Sequence, residues 1–320
     1  DVAPYDNPLV NSIGENLLLR EKTGAIALMT TTRVVLAFSN RVMNEACLKV
    51  ALQRKPDSSW RSLGEAVRHA KNLTYTHFSD VVNNRKFTLL GDPALTLALP
   101  RYRVTTTAIN NVAVGATPDT LRALNEYTIS GTVQDQAGNV LTGFNGTIYP
   151  TIFDKPQTIN TLGNDAGSQA VPIQVQRNIV FRGKARVNNG QFSFRFIVPK
   201  DINYQYGHGR ISYYADDGST DGNGAFSNII IGGSGNGIDD REGPHIQAYL
   251  NDEKFVSGGI TNNRPVLLLK LADSSGINTM GTGIGHDLVA FIDNDQNNPF
   301  VLNQFYESEL DNFRKGHVRF

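Results

Sequence analysis

Two hydrophobic periods divide this sequence. Up to about residue 100, apolar positions recur every three to four residues and alternate with short apolar runs; beyond about 101 they recur every second residue. In the first regime Ile13, Leu17 and Leu18 form an apolar stripe behind Ser12. Glu15, three residues after Ser12, completes a capping box, so a helix is predicted to start there and to stop at Gly24. The run AIALMT that follows has strand length and no polar face, which predicts a strand buried on both sides, as in a parallel sheet. Ser39 is the predicted cap of a second helix, with Val42, Met43, Ala46, Cys47, Val50 and Ala51 as its stripe. Ser62 and Glu65 form another capping box before Leu63, Ala66, Val67 and Ala70. KFTLLGDPALTLALP reads as two short strands around a Gly-Asp-Pro turn. Capped helices alternating with apolar runs predict an α/β region over residues 1–100.

In the second regime EYTISGTVQDQAGNVL alternates and turns at Gln136 to Asn139, and ARVNNGQFSFRFIVP reads as a hairpin on Asn189-Gly190. RISYYADDG and AFSNIIIGG supply further strands, so residues 101–242 are predicted to form an immunoglobulin-like β-sandwich. GGSGNGIDDREGP, at 232 to 244, has linker composition. Residues 243–320 then read as the start of a further β domain, with strands HIQAYL, PVLLLKLAD and DLVAFID and a short helix-like NQFYESELDNF. The fold class is thus multidomain, α/β followed by all-β. The chain opens without an initiator Met and stops in the strand-like GHVRF, so both ends are expected to be internal to a longer protein.

Composition narrows function mainly by exclusion. Thirty basic residues balance thirty acidic ones, which leaves no electrostatic footprint for nucleic acid. The single cysteine, Cys47, permits no internal disulfide and no Cys-based zinc site. Its place in the middle of a helical stripe reads as packing rather than nucleophilic chemistry. None of the six histidines (His69, His77, His208, His245, His286 and His317) pairs with another at helical spacing, and all are expected on surfaces or turns.

Asp217, Ser219 and Asp221 match the front half of a calcium loop, but the twelfth position, where a bidentate acid belongs, is Asn228. A structural calcium ion and an ordinary polar turn both explain the pattern. Asp293, Asp295 and Asn297 alternate in the same way without the glycine. Thr30, Thr31, Thr32 and Arg33 follow the buried strand at its C-terminal end, where open α/β sheets bind ligands; a plain polar loop is the alternative.

The segments DNPLVNSIGENLLL, GAIALMTTTRVV, NRVMNEA, SLGEAVRHAKN and NNRKFTLLGDPALTLALP, taken together, resemble the last part of the gingipain-type, caspase-like cysteine peptidase domain. Within that family they are most similar to the cell-surface sortases of type IX secretion, and the later β stretches resemble the same proteins. The resemblance implies the C-terminal part of a caspase-like domain followed by Ig-like sandwiches. It implies a Cys nucleophile just before a stretch like DVAPYDNP and a His base further upstream, so no residue here carries over as catalytic. Thr31, Thr32 and Arg33 carry over as substrate-pocket residues. The implied activity is removal of the C-terminal signal domain from exported cargo, with transfer of the cargo to surface lipopolysaccharide, at the extracellular face of the outer membrane. The implied partners are those signal domains, other outer-membrane secretion components and anionic lipopolysaccharide. On its own this chain is expected to be inactive and its α/β region unstable. The competing expectation is a non-enzymatic Ig-like module for surface adhesion or assembly.

Overall fold

The computed structural model describes residues 9–235, 237, 242–280 and 287–320. The opening DVAPYDNP stretch, part of the Gly-rich linker and His286 lie outside them. The chain divides into two compact units, Asp1–Leu99 and Pro100–Phe320.

The first unit contains α1 (Ile13–Leu18), β1 (Leu28–Thr31), α2 (Ala37–Ala51), α3 (Leu63–Phe78), α4 (Val81–Lys86) and β2 (Phe87–Leu90). Both capping boxes form. The Glu15 amide donates to Ser12 Oγ at 3.1 Å and the Ser12 amide to Glu15 Oε2 at 2.8 Å. The same reciprocal pair closes on Ser62 and Glu65 at 3.2 and 3.1 Å.

Three sequence expectations are corrected in this unit. The AIALMT strand pairs antiparallel with β2, Leu28 opposite Leu90 and Thr31 opposite Phe87, and only Thr31 of its four residues is buried. Leu28, Met29 and Thr30 are only half-buried, so packing does not cover both faces of the strand. Ser39 is not a cap: α2 starts at Ala37 after Leu36, and the Ser39 hydroxyl donates to Asp80 instead. After the Gly-Asp-Pro turn only a single bridge, Thr96 to Ser62, replaces the second strand. Gly91 makes that turn with φ +120°, and a Cβ there would meet the Ala27 Cβ at 2.9 Å. The core is small, with Met43, Ala70 and Phe87 buried together and Met29, Val35, Ala46 and Cys47 packed against them.

In the second unit the period-2 pattern becomes strands with inward apolar residues. They run β3 (Tyr102–Ile109), β4 (Val112–Ala113), β5 (Asp119–Ala123), β6 (Glu126–Gln134), β7 (Gly146–Phe153), β8 (Gln157–Asn160) and β9 (Pro172–Val175). Then come β10 (Ile179–Arg182), β11 (Ala185–Asn188), β12 (Gln191–Ile197), β13 (Gly207–His208), β14 (Arg210–Asp216), β15 (Asp221–Phe226) and β16 (Ile229–Ser234). The main ladder runs β7-β11-β12-β6-β3-β15-β14, and β14 pairs back onto β7, so the hydrogen bonding closes on itself. A smaller sheet, β13-β16-β5, adds Leu121, Ala123, Ile229 and Ile231 to the same core. Phe192, Phe194 and Phe196 of β12 all point inward, and Phe181 stacks on the last two at 5.8 and 5.1 Å. The buried Tyr213 hydroxyl is satisfied by Thr106 Oγ1 at 2.7 Å.

The remaining strands are β17 (His245–Leu250), β18 (Leu267–Ala272), β19 (Val289–Ala290), β20 (Phe300–Val301), β21 (Tyr306–Glu309) and β22 (Asn312–Arg319). β17-β18-β22-β21 form an antiparallel sheet over a second core of Leu269, Leu271, Leu302, Tyr306 and Val318. NQFYESELDNF is not helical: one 3-10 turn, Asn303–Phe305, leads directly into the β21–β22 hairpin. Tyr306 and Ser308 are buried and their neighbours exposed, which is strand alternation.

Candidate functional site

The loop leaving β1 is held by the junction of α4 and β2. The Thr32 amide donates to the Lys86 carbonyl at 2.8 Å, and Lys86 Nζ donates to the Val34 carbonyl at 2.8 Å. Thr30 and Thr31 complete the β1 ladder opposite Thr88 and Phe87. The Thr31 side chain is buried at the strand end. Thr32 is half-buried and Arg33 exposed, with Arg33 NH1 donating to the Thr32 carbonyl at 2.6 Å. Of the predicted pocket residues, then, Thr32 and Arg33 face outward and Thr31 supports them.

An apolar cleft of about 380 Å³, missed in the sequence, opens elsewhere in this unit. Val42, Met43 and Phe87 line it, Phe38 and Phe78 meet edge to face at 5.9 Å, and Ser39, Asp80 and Asn83 supply a polar cluster. Asp80 caps α4 through the Asn83 amide at 3.1 Å and accepts from the Ser39 hydroxyl and from Asn83 Nδ2. The Ser39 hydrogen bond, reinforced by Asn83, holds the Asp80 carboxyl below its ordinary pKa. This carboxylate is fully engaged and can anchor a cleft wall, but it is not placed as a proton donor. The signal in the sequence was Asp80 three residues before Asn83, a cap pattern.

Cys47 packs against the core of Met43, Ala70 and Phe87, and burial raises its thiol pKa. A protonated, half-buried thiol is a poor nucleophile, as the helical stripe had implied. His69, His77, His208, His245 and His317 are all exposed.

The candidate calcium loop is the β14–β15 hairpin turn. One Asp217 carboxylate accepts from the Ser219 amide at 3.0 Å, the Ser219 hydroxyl at 2.9 Å, the Thr220 amide at 2.7 Å and the Thr220 hydroxyl at 3.0 Å. These hydrogen bonds, the Thr220 amide first, depress its pKa to about 2. Asp221 lies in the ladder opposite Asp216 and accepts from the Arg101 amide at 3.3 Å. A cation at this turn has to compete with four protein donors. Asp295 likewise accepts from the Asn297 amide and from Asn298 Nδ2. Among the described residues no group of three or more His, Cys, Asp or Glu side chains is placed to hold a metal ion. Nor, among them, is any helix long and apolar enough to cross a membrane.

Residues 1–98 match the sequence model of peptidase family C25. No curated protein matches the chain. Among solved structures, dimeric latent PorU from Porphyromonas gingivalis is similar at 29% identity and a TM-score of 0.47, over 94% of this chain and 28% of that one. The chain therefore spans less than a third of that relative. The complex of Porphyromonas gingivalis RgpB pro- and mature domains is similar at 15% identity and a TM-score of 0.27, over 70% of this chain and 43% of that one. The Arg-specific cysteine proteinase gingipain R gives 14% identity and a TM-score of 0.27, over 70% and 42%.

Proposed function

We propose, from the match of residues 1–98 to the sequence model of peptidase family C25, that this chain is part of a gingipain-type cysteine endopeptidase serving as the cell-surface sortase of type IX secretion. The observation that carries the reading is the agreement of two boundaries. The family match ends at residue 98 and the first compact unit ends at Leu99. This agreement supports reading the α/β unit as the C-terminal part of a caspase-like peptidase domain.

In this reading a Cys thiolate attacks the carbonyl at the junction of cargo and signal domain. The tetrahedral oxyanion collapses to a thioester as the amine of the signal domain leaves with a proton from a His. An amine on anionic lipopolysaccharide, or water, then attacks the thioester and returns the thiol. Cys47, a half-buried thiol packed on the core, is not that nucleophile in this reading; the nucleophile and its base belong to the longer protein. Thr32 and Arg33, braced by Thr31, form a wall of the substrate pocket. The β unit comprises Ig-like domains that hold cargo signal domains and other outer-membrane secretion components at the extracellular face. Its main ladder closes on itself where an Ig-like sandwich keeps two separate sheets, so the Ig-like part of the reading rests on the resemblance alone.

The test is labelling of the intact protein with a thiol-reactive peptide probe. Labelling at a cysteine other than Cys47, undiminished by Cys47→Ala, is expected. Arg33→Ala is expected to lower kcat/KM about tenfold through substrate positioning. Labelling lost with Cys47→Ala overturns the dyad assignment. No labelling at all favours the competing reading, an Ig-like adhesion or assembly module.

A further inference from the structure

The outer face of the closed ladder carries a cavity of about 350 Å³ that the peptidase reading does not use. Its floor follows from strand parity. On β7 and β14 the inward residues are Ile148, Ile152, Ile211, Tyr213 and Ala215, so Tyr149, Thr151, Ser212 and Tyr214 point outward. The register sets Tyr149 directly opposite Tyr214 and Thr151 directly opposite Ser212. The two tyrosine rings lie 6.1 Å apart at 37°, and 38% of Tyr149 and 41% of Tyr214 stays exposed. Two ring faces thus stand beside two small hydroxyls.

The walls carry two cations and one carboxylate. Lys184 pairs with Glu307 of β21, and its Nζ also lies 5.9 Å from the Tyr149 ring centre. Arg182 is anchored by donating from NH1 to the Gln304 carbonyl at 2.9 Å, which leaves other guanidinium N–H groups for a ligand. The Tyr214 hydroxyl donates to Asp221 at 3.3 Å. Among the lining residues Lys184 and Glu307 neutralise each other, which leaves the Arg182 guanidinium as the one unbalanced charge.

A peptide adding itself as a strand is poorly served here. β7 is paired with β14 on one side and with β10 and β11 on the other, and β14 is paired with β7 and β15. No strand edge is free on this floor. What fits is a ring that is apolar on its faces and hydroxylated around its rim. Its C–H faces pack on the tyrosines, while its hydroxyls donate to Glu307 and accept from Lys184, Arg182 and the Ser/Thr pair.

We propose that the groove floored by Tyr149 and Tyr214 and walled by Lys184, Arg182 and Glu307 is a binding site for a hexopyranose unit of a glycan. The site stands on this geometry and does not rest on the peptidase assignment.

The experiment is saturation-transfer NMR on the intact protein. Glucose, galactose, mannose and N-acetylglucosamine are the separate probes. Transfer to the ring C–H protons of at least one sugar is expected. Tyr149→Ala and Tyr214→Ala are each expected to weaken its binding about tenfold, the scale of one lost aromatic contact. Both side chains are outward-facing, and an unchanged thermal transition checks that the variants fold. Glu307→Gln, which keeps the shape, is expected to weaken binding less than either tyrosine change. Absence of transfer from all four sugars overturns the proposal. So does transfer that persists undiminished in both tyrosine variants, because the sugar then sits elsewhere.

Discussion

Asp217 is a single side chain that organises a whole turn. Its carboxylate draws in two amides and two hydroxyls, and its pKa falls to about 2. A carboxyl with a folded pKa below its unfolded value stabilises the fold above the unfolded pKa, near 4. That contribution is lost as pH falls from there toward about 2. Asp217→Ala is therefore expected to cost about 1 kcal/mol at neutral pH, held down by solvent exposure. The cost is expected to shrink below pH 3 or so as the wild-type carboxyl protonates. Denaturant unfolding of both proteins across pH checks this, and a difference that stays constant down to pH 2 would refute it. The same residue marks a limit of sequence reading. Alternating Asp, Ser and Asp fits a calcium loop and a polar turn equally, because both use oxygen lone pairs. The hydrogen bonds from Ser219 and Thr220 show how the carboxylate is occupied. Cys47 was legible because its helical neighbours alone decide which way it points. The groove at Tyr149 and Tyr214 was not, because β7 and β14 are more than fifty residues apart in the chain.

At the scale of elements, local chemistry was read well and partnership was not. Both capping boxes and the Asn189-Gly190 hairpin form as their residues dictate, since each involves atoms within four residues. Ser62→Ala is expected to destabilise the first unit by about 1 kcal/mol, measured by chemical unfolding followed through helical circular dichroism. Gly190 is the harder constraint. It has φ +72°, and a Cβ there would approach the Leu141 carbonyl oxygen to 2.4 Å. Gly190→Ala is expected to cost about 1–3 kcal/mol, more than Asn189→Ala, since Asn189 at φ +51° already tolerates a side chain. Equal effects would mean that the turn relaxes freely. Apart from the Ser39 cap, the differences concern what an element pairs with. AIALMT has the composition of a strand enclosed by neighbours, yet β1 meets only β2, antiparallel. NQFYESELDNF has helix-forming residues, yet pairing with β22 imposes alternation on it. Tertiary pairing overrides propensity in both cases.

The whole molecule joins two units of unequal solidity. The larger of the β unit's two cores includes Ile129, Ile148, Ile152, Phe196, Ile211 and Ile231, all essentially inaccessible. The α/β unit buries Met43, Ala70 and Phe87 together, while Leu9, Ile13, Leu19, Ile26, Val34, Leu36, Phe38 and Val82 remain exposed. Burial of apolar side chains is the main source of folding free energy, so the first unit has less to oppose its chain entropy. Opening free energies within one protein follow local burial, and the elements with the fewest buried contacts open first. In the 320-residue chain, backbone amides of α2 and α3 are therefore expected to exchange with deuterium at least about tenfold faster than those of β6 and β12. Hydrogen-exchange mass spectrometry resolves these segments directly. Protection of α2 and α3 equal to that of β12 would show that the exposed apolar residues are covered in solution. Faster exchange that slows to the β12 level in a longer protein would place that cover in the additional sequence. The apolar surface would then be an internal face of the peptidase domain rather than a flaw in its folding.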